Sequence, residues 1–147
     1  MDLDNKVSLV TGAGQGIGEG IAKNLASKGS KVIVVDLNQQ SSDNVAEEIN
    51  AKFPNTAFSF QADLTKSDEI ESMLEFGVMK FNKIDCICNN AASSKGIGPV
   101  ENYSLEDVQA TLDLTFTSLW KCLQAEIRFL KQQAISASVV NISSNSA

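Results

Sequence analysis

The chain has 147 residues, 43% hydrophobic and 20% charged, the proportions of a soluble globular domain with its own core. Its net charge of −6 offers no basic surface for nucleic acid or an anionic membrane, and no apolar run approaches the ~20 residues that span a bilayer. There is no histidine, which excludes an imidazole base and a Ser-His-Asp triad, and Cys86-Ile87-Cys88 is too tightly spaced for a zinc knuckle, so no metal is expected. The odd count of three cysteines and the polar N-terminus point to a reducing, cytoplasmic setting, with the cysteines as small core residues.

Apolar periodicity alternates strand and helix along the chain, without repeat, linker or low-complexity tract. The first strand is predicted from about Lys6 to Thr11. It runs into Thr11-Gly12-Ala13-Gly14-Gln15-Gly16-Ile17-Gly18, a glycine turn that opens a helix. In such a turn Gly12 permits the tight bend, Gly16 lets backbone approach a pyrophosphate, and Gly18 lets helix pack on strand. The N–H groups and positive end of that helix then face the anion. The helix places Ile17, Ile21 and Leu25 on one face and ends at Gly29. Gly20, within it, is unfavourable by about 1 kcal/mol against alanine and has no reason visible in the sequence. The second strand, Lys31 to Asp36, ends in an acid about 20 residues past the glycines, the offset of a ribose-binding carboxylate.

The second helix is predicted to follow Ser41-Ser42-Asp43 as its cap region, to bury Val45 and Ile49, and to break at Pro54 and Asn55. A third strand alternates through Phe58 and Phe60 towards Asp63. A third helix starts near Ser67 with Ile70, Leu74 and Phe81 on a stripe, and a fourth strand covers Ile84 to Asn89. Ser104-Leu105-Glu106-Asp107 reads as a capping box for one long helix, Leu105 to Leu130, carrying Val108, Leu112, Leu119, Leu123, Ile127 and Leu130. Ser138 to Ile142 forms a fifth strand.

This alternation predicts an α/β protein: a Rossmann-like, doubly wound parallel sheet of about five strands ordered 3-2-1-4-5, with helices on both faces. Ligand would sit outside the carboxyl ends of strands one and four. The glycine loop, Asp36, Asp63, Asn89 to Ala92 and Ser143-Ser144 all follow strand ends and converge there. Asp36 is expected to accept both ribose hydroxyls of NAD. A 2′-phosphate would face that carboxylate, and neither Leu37 nor Gln15 supplies a cation, so NAD is expected over NADP.

Together these residues resemble the short-chain dehydrogenase/reductase family over essentially the whole chain. Thr11-Gly12-x-x-x-Gly16-x-Gly18 is similar to its cofactor loop, Asp63-Leu64 to its adenine-contacting acidic position, and Asn89-Asn90-Ala91-Ala92 to its Asn-Asn-Ala-Gly element, with alanine in the final place. Asn141-Ile142-Ser143-Ser144 resembles the strand that ends in the catalytic serine, at Ser144. The resemblance implies cofactor contacts from Gly12, Gln15, Gly16, Ile17, Gly18, Asp36, Leu37, Asp63, Leu64, Asn89 and Ala91. It implies reversible oxidation of an alcohol to a ketone, with a tyrosine base, a lysine four residues later, a serine on the substrate oxygen and an asparagine-organised water relay.

Two positions depart from that pattern. The single tyrosine, Tyr103, precedes the long helix and has Asp107 four residues later, and Thr115, or Asp113 in a shifted register, stands where the asparagine belongs. The Tyr-x-x-x-Lys element would fall about a dozen residues past Ser144, beyond Ala147. The expectation is one dinucleotide-binding domain over 1–147, incomplete at its C-terminus and inactive alone, or alternatively a non-catalytic dinucleotide-binding or interaction module. Val139, Val140, Ile84 and Ile87 are then candidates for exposure, and the chain alone is expected to be marginally stable, self-associating through the strand-five edge or the long helix, or completed by another polypeptide.

Overall fold

The structure is a computed structural model and describes residues 3–92, 99–134 and 136–143. Among them β1 (Val7–Thr11), β2 (Lys31–Asp36), β3 (Ala57–Gln61), β4 (Cys86–Asn89) and β5 (Ser138–Asn141) form one sheet ordered β3-β2-β1-β4-β5, every pair parallel. This is the predicted architecture. Alternation of side chains divides the core between the two faces of the sheet. Val10, Val32 and Val34 pack with Ala22, Ala26, Val45 and Ile49 from α1 (Gly16–Ser27) and α2 (Gln39–Lys52). Leu9, Ile33 and Val35 pack on the other side with Ile70, Met73 and Leu74 of α3 (Ser67–Phe81). Every residue of β1 is buried, as a central parallel strand requires.

Several local details differ from the predicted ones. The face of α1 that meets the sheet is Gly18, Ala22 and Ala26, with Ile21 and Leu25 flanking it; Ile17 is 71% exposed. Small residues bring this helix close to the sheet, so the largest side chains fall outside the contact. Helix α2 starts earlier than expected: Asn38 caps it by accepting from the Ser41 N–H at 3.1 Å, and Ser42 is buried rather than part of the cap. Gly29 ends α1 as predicted, at φ +93°, with its N–H on the Ala26 carbonyl.

Gly20 has open space where a Cβ would project. Gly20→Ala is therefore expected to stabilise the chain by about 1 kcal/mol and raise the melting temperature by about 3 °C in a thermal scan. An unchanged or lowered midpoint would give this glycine a role that packing does not show.

The predicted long helix is interrupted. Ser104 caps α4 (Leu105–Leu112) by accepting the Asp107 N–H at 3.1 Å, and Asp113–Thr117 then form a π-helical turn before α5 (Ser118–Gln132). On α5 the buried residues are Ser118, Cys122 and Glu126, while of the predicted apolar stripe Val108, Leu112 and Ile127 are exposed and Leu119 and Leu123 half-buried. Leu112, Phe116, Trp120 and Ile127 are left exposed. Ile84 and Ile87, expected to be uncovered, are fully buried in the layer that holds α3 and Cys122 of α5. Val140 and Ile142 are the exposed apolar residues at the β5 edge. No helix among the described residues is long and apolar enough to cross a membrane.

Candidate functional site

A cleft of about 520 Å³ lies at the carboxyl ends of the strands, within the usual range for small-molecule sites. Among the described residues its walls come from the predicted clusters: Gly12, Gln15, Gly16 and Ile17 after β1; Asp36 and Leu37 at β2; Asp63 and Leu64 after β3; Asn90, Ala91 and Ala92 after β4. Leu114, from the π-helical turn, closes one side.

The glycine turn is built for close approach. Gly12 and Gly16 both hold φ +61°, a backbone conformation that a side chain would strain. A Cβ on Gly12 would lie 2.8 Å from the Ala91 Cα, so this glycine also lets β1 and the β4 loop meet. At Gly16 nothing stands within 4 Å, leaving the N-terminus of α1 open. That terminus has no side-chain cap, so its orphan N–H groups are free to meet an anion. Gly18 is buried off the cleft wall, where a Cβ would overlap the Gly12 carbonyl oxygen; its part is helix–strand packing, as predicted.

Asp36 faces the glycine loop. Its Oδ2 accepts the Gly14 N–H at 2.8 Å and its Oδ1 accepts the Asn38 N–H at 3.0 Å. The carboxylate is thereby held on the cleft side with lone pairs to spare. Gly14, which the predicted pattern left without a role, is needed here: a Cβ would stand 2.9 Å from the Asp36 carboxyl and 2.8 Å from the Ser41 Cβ.

Thr11 and Asn90 tie the two halves of the cleft together. The buried Thr11 hydroxyl oxygen accepts the Asn90 and Ala91 N–H groups at 3.0 and 3.1 Å. In return the Asn90 Nδ2 donates to the Thr11 and Gly12 carbonyls at 3.1 and 3.2 Å. Asn90 was expected only as backbone lining within Asn89 to Ala91, and Thr11 only as the start of the glycine motif. The signal was present, a threonine ending an apolar strand and a carboxamide ending another, but only the fold sets them opposite each other.

Asp63 lines the cleft, yet one of its oxygens serves a local turn. Its Oδ1 accepts the Thr65 hydroxyl at 2.7 Å and the Thr65 N–H at 3.0 Å, and these bonds hold its carboxyl below the usual range. Leu64 is buried beside it. Asn89 differs from expectation: it is not on the wall but beneath it, its Nδ2 donating to Asn141 Oδ1 at 3.0 Å and Glu126 Oε2 at 3.2 Å. Register explains this, because successive side chains of β4 alternate faces and only the backbone beyond it, at Asn90 to Ala92, turns into the cleft. Thr115 is exposed on the π-helical turn, outside the wall, and the neighbouring Leu114 takes the place facing the cleft. Ser143 is exposed after β5, and Ser144 lies outside the described residues.

The residues present fit a dinucleotide: an uncapped helix terminus beside open space at Gly16, and a carboxylate anchored across the same loop. A parallel sheet in this order with such a loop defines a Rossmann-like doubly wound protein. The family model for short chain dehydrogenase matches residues 6–147, and the chain belongs to that family. It is 34% identical over 143 residues to a 3-oxoacyl-[acyl-carrier-protein] reductase from Synechocystis sp., covering 97% of this chain and 57% of that one. Among solved structures, a short-chain type dehydrogenase/reductase from Mycobacterium marinum superposes with a TM-score of 0.89 at 27% identity, covering 97% of this chain and 57% of that one. A 3-ketoacyl-(acyl-carrier-protein) reductase from Brucella melitensis, complexed with NADH, gives 0.88 at 29% identity, with 97% and 58% covered. The chain spans about half the length of the curated relatives it matches.

Proposed function

We propose that this chain is a single dinucleotide-binding domain that holds NAD, in preference to NADP, and serves an oxidoreductase interconverting an alcohol and a ketone. The observation that carries this is the Asp36 carboxylate, held 2.8 Å from the Gly14 N–H across from the open N-terminus of α1. In this reading the α1 amides at Gly16 to Gly18 receive the diphosphate, Asp36 accepts the adenosine ribose hydroxyls, and Asp63 and Leu64 border the adenine. Gly12, Gln15, Ile17, Leu37 and the Ala91 backbone complete the wall. The role expected of Asn89 passes to Asn90 and Ala91, which do face the cleft. The NADH in the Brucella relative is consistent with this choice.

The bound nicotinamide would accept or donate hydride, and Ser144 would stand by the substrate oxygen. These 147 residues contain one tyrosine, Tyr103, with no lysine four residues on. They are therefore proposed to bind without measurable turnover by themselves, since loss of a general base alone lowers rates by about 10² to 10⁴. The exposed Leu112, Phe116, Trp120 and Ile127 are proposed as the surface of self-association.

Calorimetric titration tests the reading. NAD is expected to saturate one site per chain, with NADP at least about tenfold weaker, a difference of about 1.4 kcal/mol. No heat with either nucleotide, or equal affinities, would overturn it.

A further inference from the structure

Beneath the cleft lies a buried polar cluster that the cofactor reading does not use. Glu126 of α5 is fully buried, and its Oε2 accepts from the Asn89 Nδ2 at 3.2 Å. Among the described residues its other oxygen, Oε1, has no hydrogen-bond partner, and neither does Asn89 Oδ1. Two side chains already joined by one bond thus each bury an acceptor that lacks a donor. Such groups are rarely left unpaired, and an ionised carboxylate with a single amide donor would be heavily penalised here. A carboxylic acid and a primary amide have complementary edges: the acid carbonyl accepts the amide N–H, and the acid O–H donates to the amide oxygen. One proton on Oε1 provides the donor that both orphaned oxygens lack.

Among the described residues the groups around Glu126 give no other source of compensation. Asn89 faces it from β4, with Asn141 of β5 bonded to the same carboxamide. Cys122, one turn earlier on α5, is the titratable neighbour, and burial pushes its thiol up to about 12, so it stays neutral. No charged side chain from α3, which packs on α5, bears on the Glu126 carboxyl. Burial pushes that carboxyl up to about 7, against the opposing pull of the Asn89 bond.

Asn89 is also the last residue of β4, and Asn90, next along, clamps the glycine turn through Thr11 and Gly12. We propose that Glu126 is a positioning residue: as a neutral acid it closes a two-bond pair with the Asn89 carboxamide and so fixes the strand end that holds the glycine turn in shape for its ligand. Loss of the proton leaves both oxygens without a donor and loosens that end. The link to ligand rests on the cofactor reading; the pair itself does not. For the sign, the folded-state value lies above the ordinary 4.5, so this contribution is full below about 4.5 and is lost as pH rises through about 7.

The test compares the chain with Glu126→Gln, whose amide makes the same two bonds without titrating. In infrared difference spectra, wild type at about pH 5.5 should show a protonated-carboxyl band that vanishes by about pH 8.5 and is missing from Glu126→Gln. The melting temperature of wild type, relative to Glu126→Gln, should fall over the same range, and NAD affinity should weaken several-fold in wild type alone. Lack of the protonated band in wild type at low pH, or the same pH slope in both proteins, overturns the proposal. The spectrum of wild type decides this even if the variant folds poorly. A titrating band with no NAD binding at any pH upholds the pair and overturns the cofactor reading.

Discussion

Asp36→Ala combined with Leu37→Arg is expected to reverse the nucleotide preference. Removing the carboxylate deletes two charge-assisted hydrogen bonds to the ribose, each worth about 1.5–3 kcal/mol, so NAD affinity should fall by about 10² to 10⁴-fold. It also removes the repulsion that a 2′-phosphate would meet, and the guanidinium supplies a bidentate partner for that phosphate. Leu37 suits this purpose because it is 62% exposed on the cleft wall directly after Asp36. The change has a structural consequence too. Asp36 accepts the Gly14 and Asn38 N–H groups, so the variant should lose about 1–2 kcal/mol of stability, visible in denaturant unfolding. Leu37→Arg alone is the control for added charge. If the double variant still prefers NAD by titration, Asp36 is not the discriminator, and the site must select through some other contact.

The sheet order and the cleft were legible in the sequence because both depend on patterns of short range. An apolar run, a glycine turn and an amphipathic helix repeat in an order that only a parallel sheet with crossovers accommodates. What escaped was set by tertiary packing. The largest residues of α1 were assigned to its buried face, but Gly18, Ala22 and Ala26 occupy it because the helix lies close to β1 and β2. The π-helical turn at Asp113–Thr117 interrupts the predicted long helix without any proline or glycine to announce it, and α5 presents Ser118, Cys122 and Glu126 inward. A buried acid on a helix otherwise rich in leucine cannot be told from a solvated one until the opposing carboxamide is in view. For the cleft, Gly12, Gly16 and Asp36 were found by spacing and Asp63 by the family resemblance, whereas Gly14, Thr11 and Asn90 act through partners some 22 to 80 residues away.

Thr11→Val should be the most damaging of the nearly isosteric changes at this cleft. Valine keeps the volume and β-branching of threonine, so β1 keeps its packing. The lost hydroxyl was the acceptor for two N–H groups, those of Asn90 and Ala91, at 3.0 and 3.1 Å. No solvent reaches Thr11, which is 1% exposed, so neither donor can turn to water through that position. Each unsatisfied donor is expected to be worth about 1–3 kcal/mol, for a total loss of about 2–6 kcal/mol in urea unfolding. Thr11→Ser restores the acceptor and loses one buried methyl, so its loss should be closer to about 1 kcal/mol. NAD affinity should separate the two variants further, because the serine keeps the β4 loop seated against Gly12 and the valine does not. Equal stabilities for valine and serine would mean that these backbone groups find other acceptors, and the clamp between the glycine turn and β4 would then rest on the Asn90 carboxamide alone.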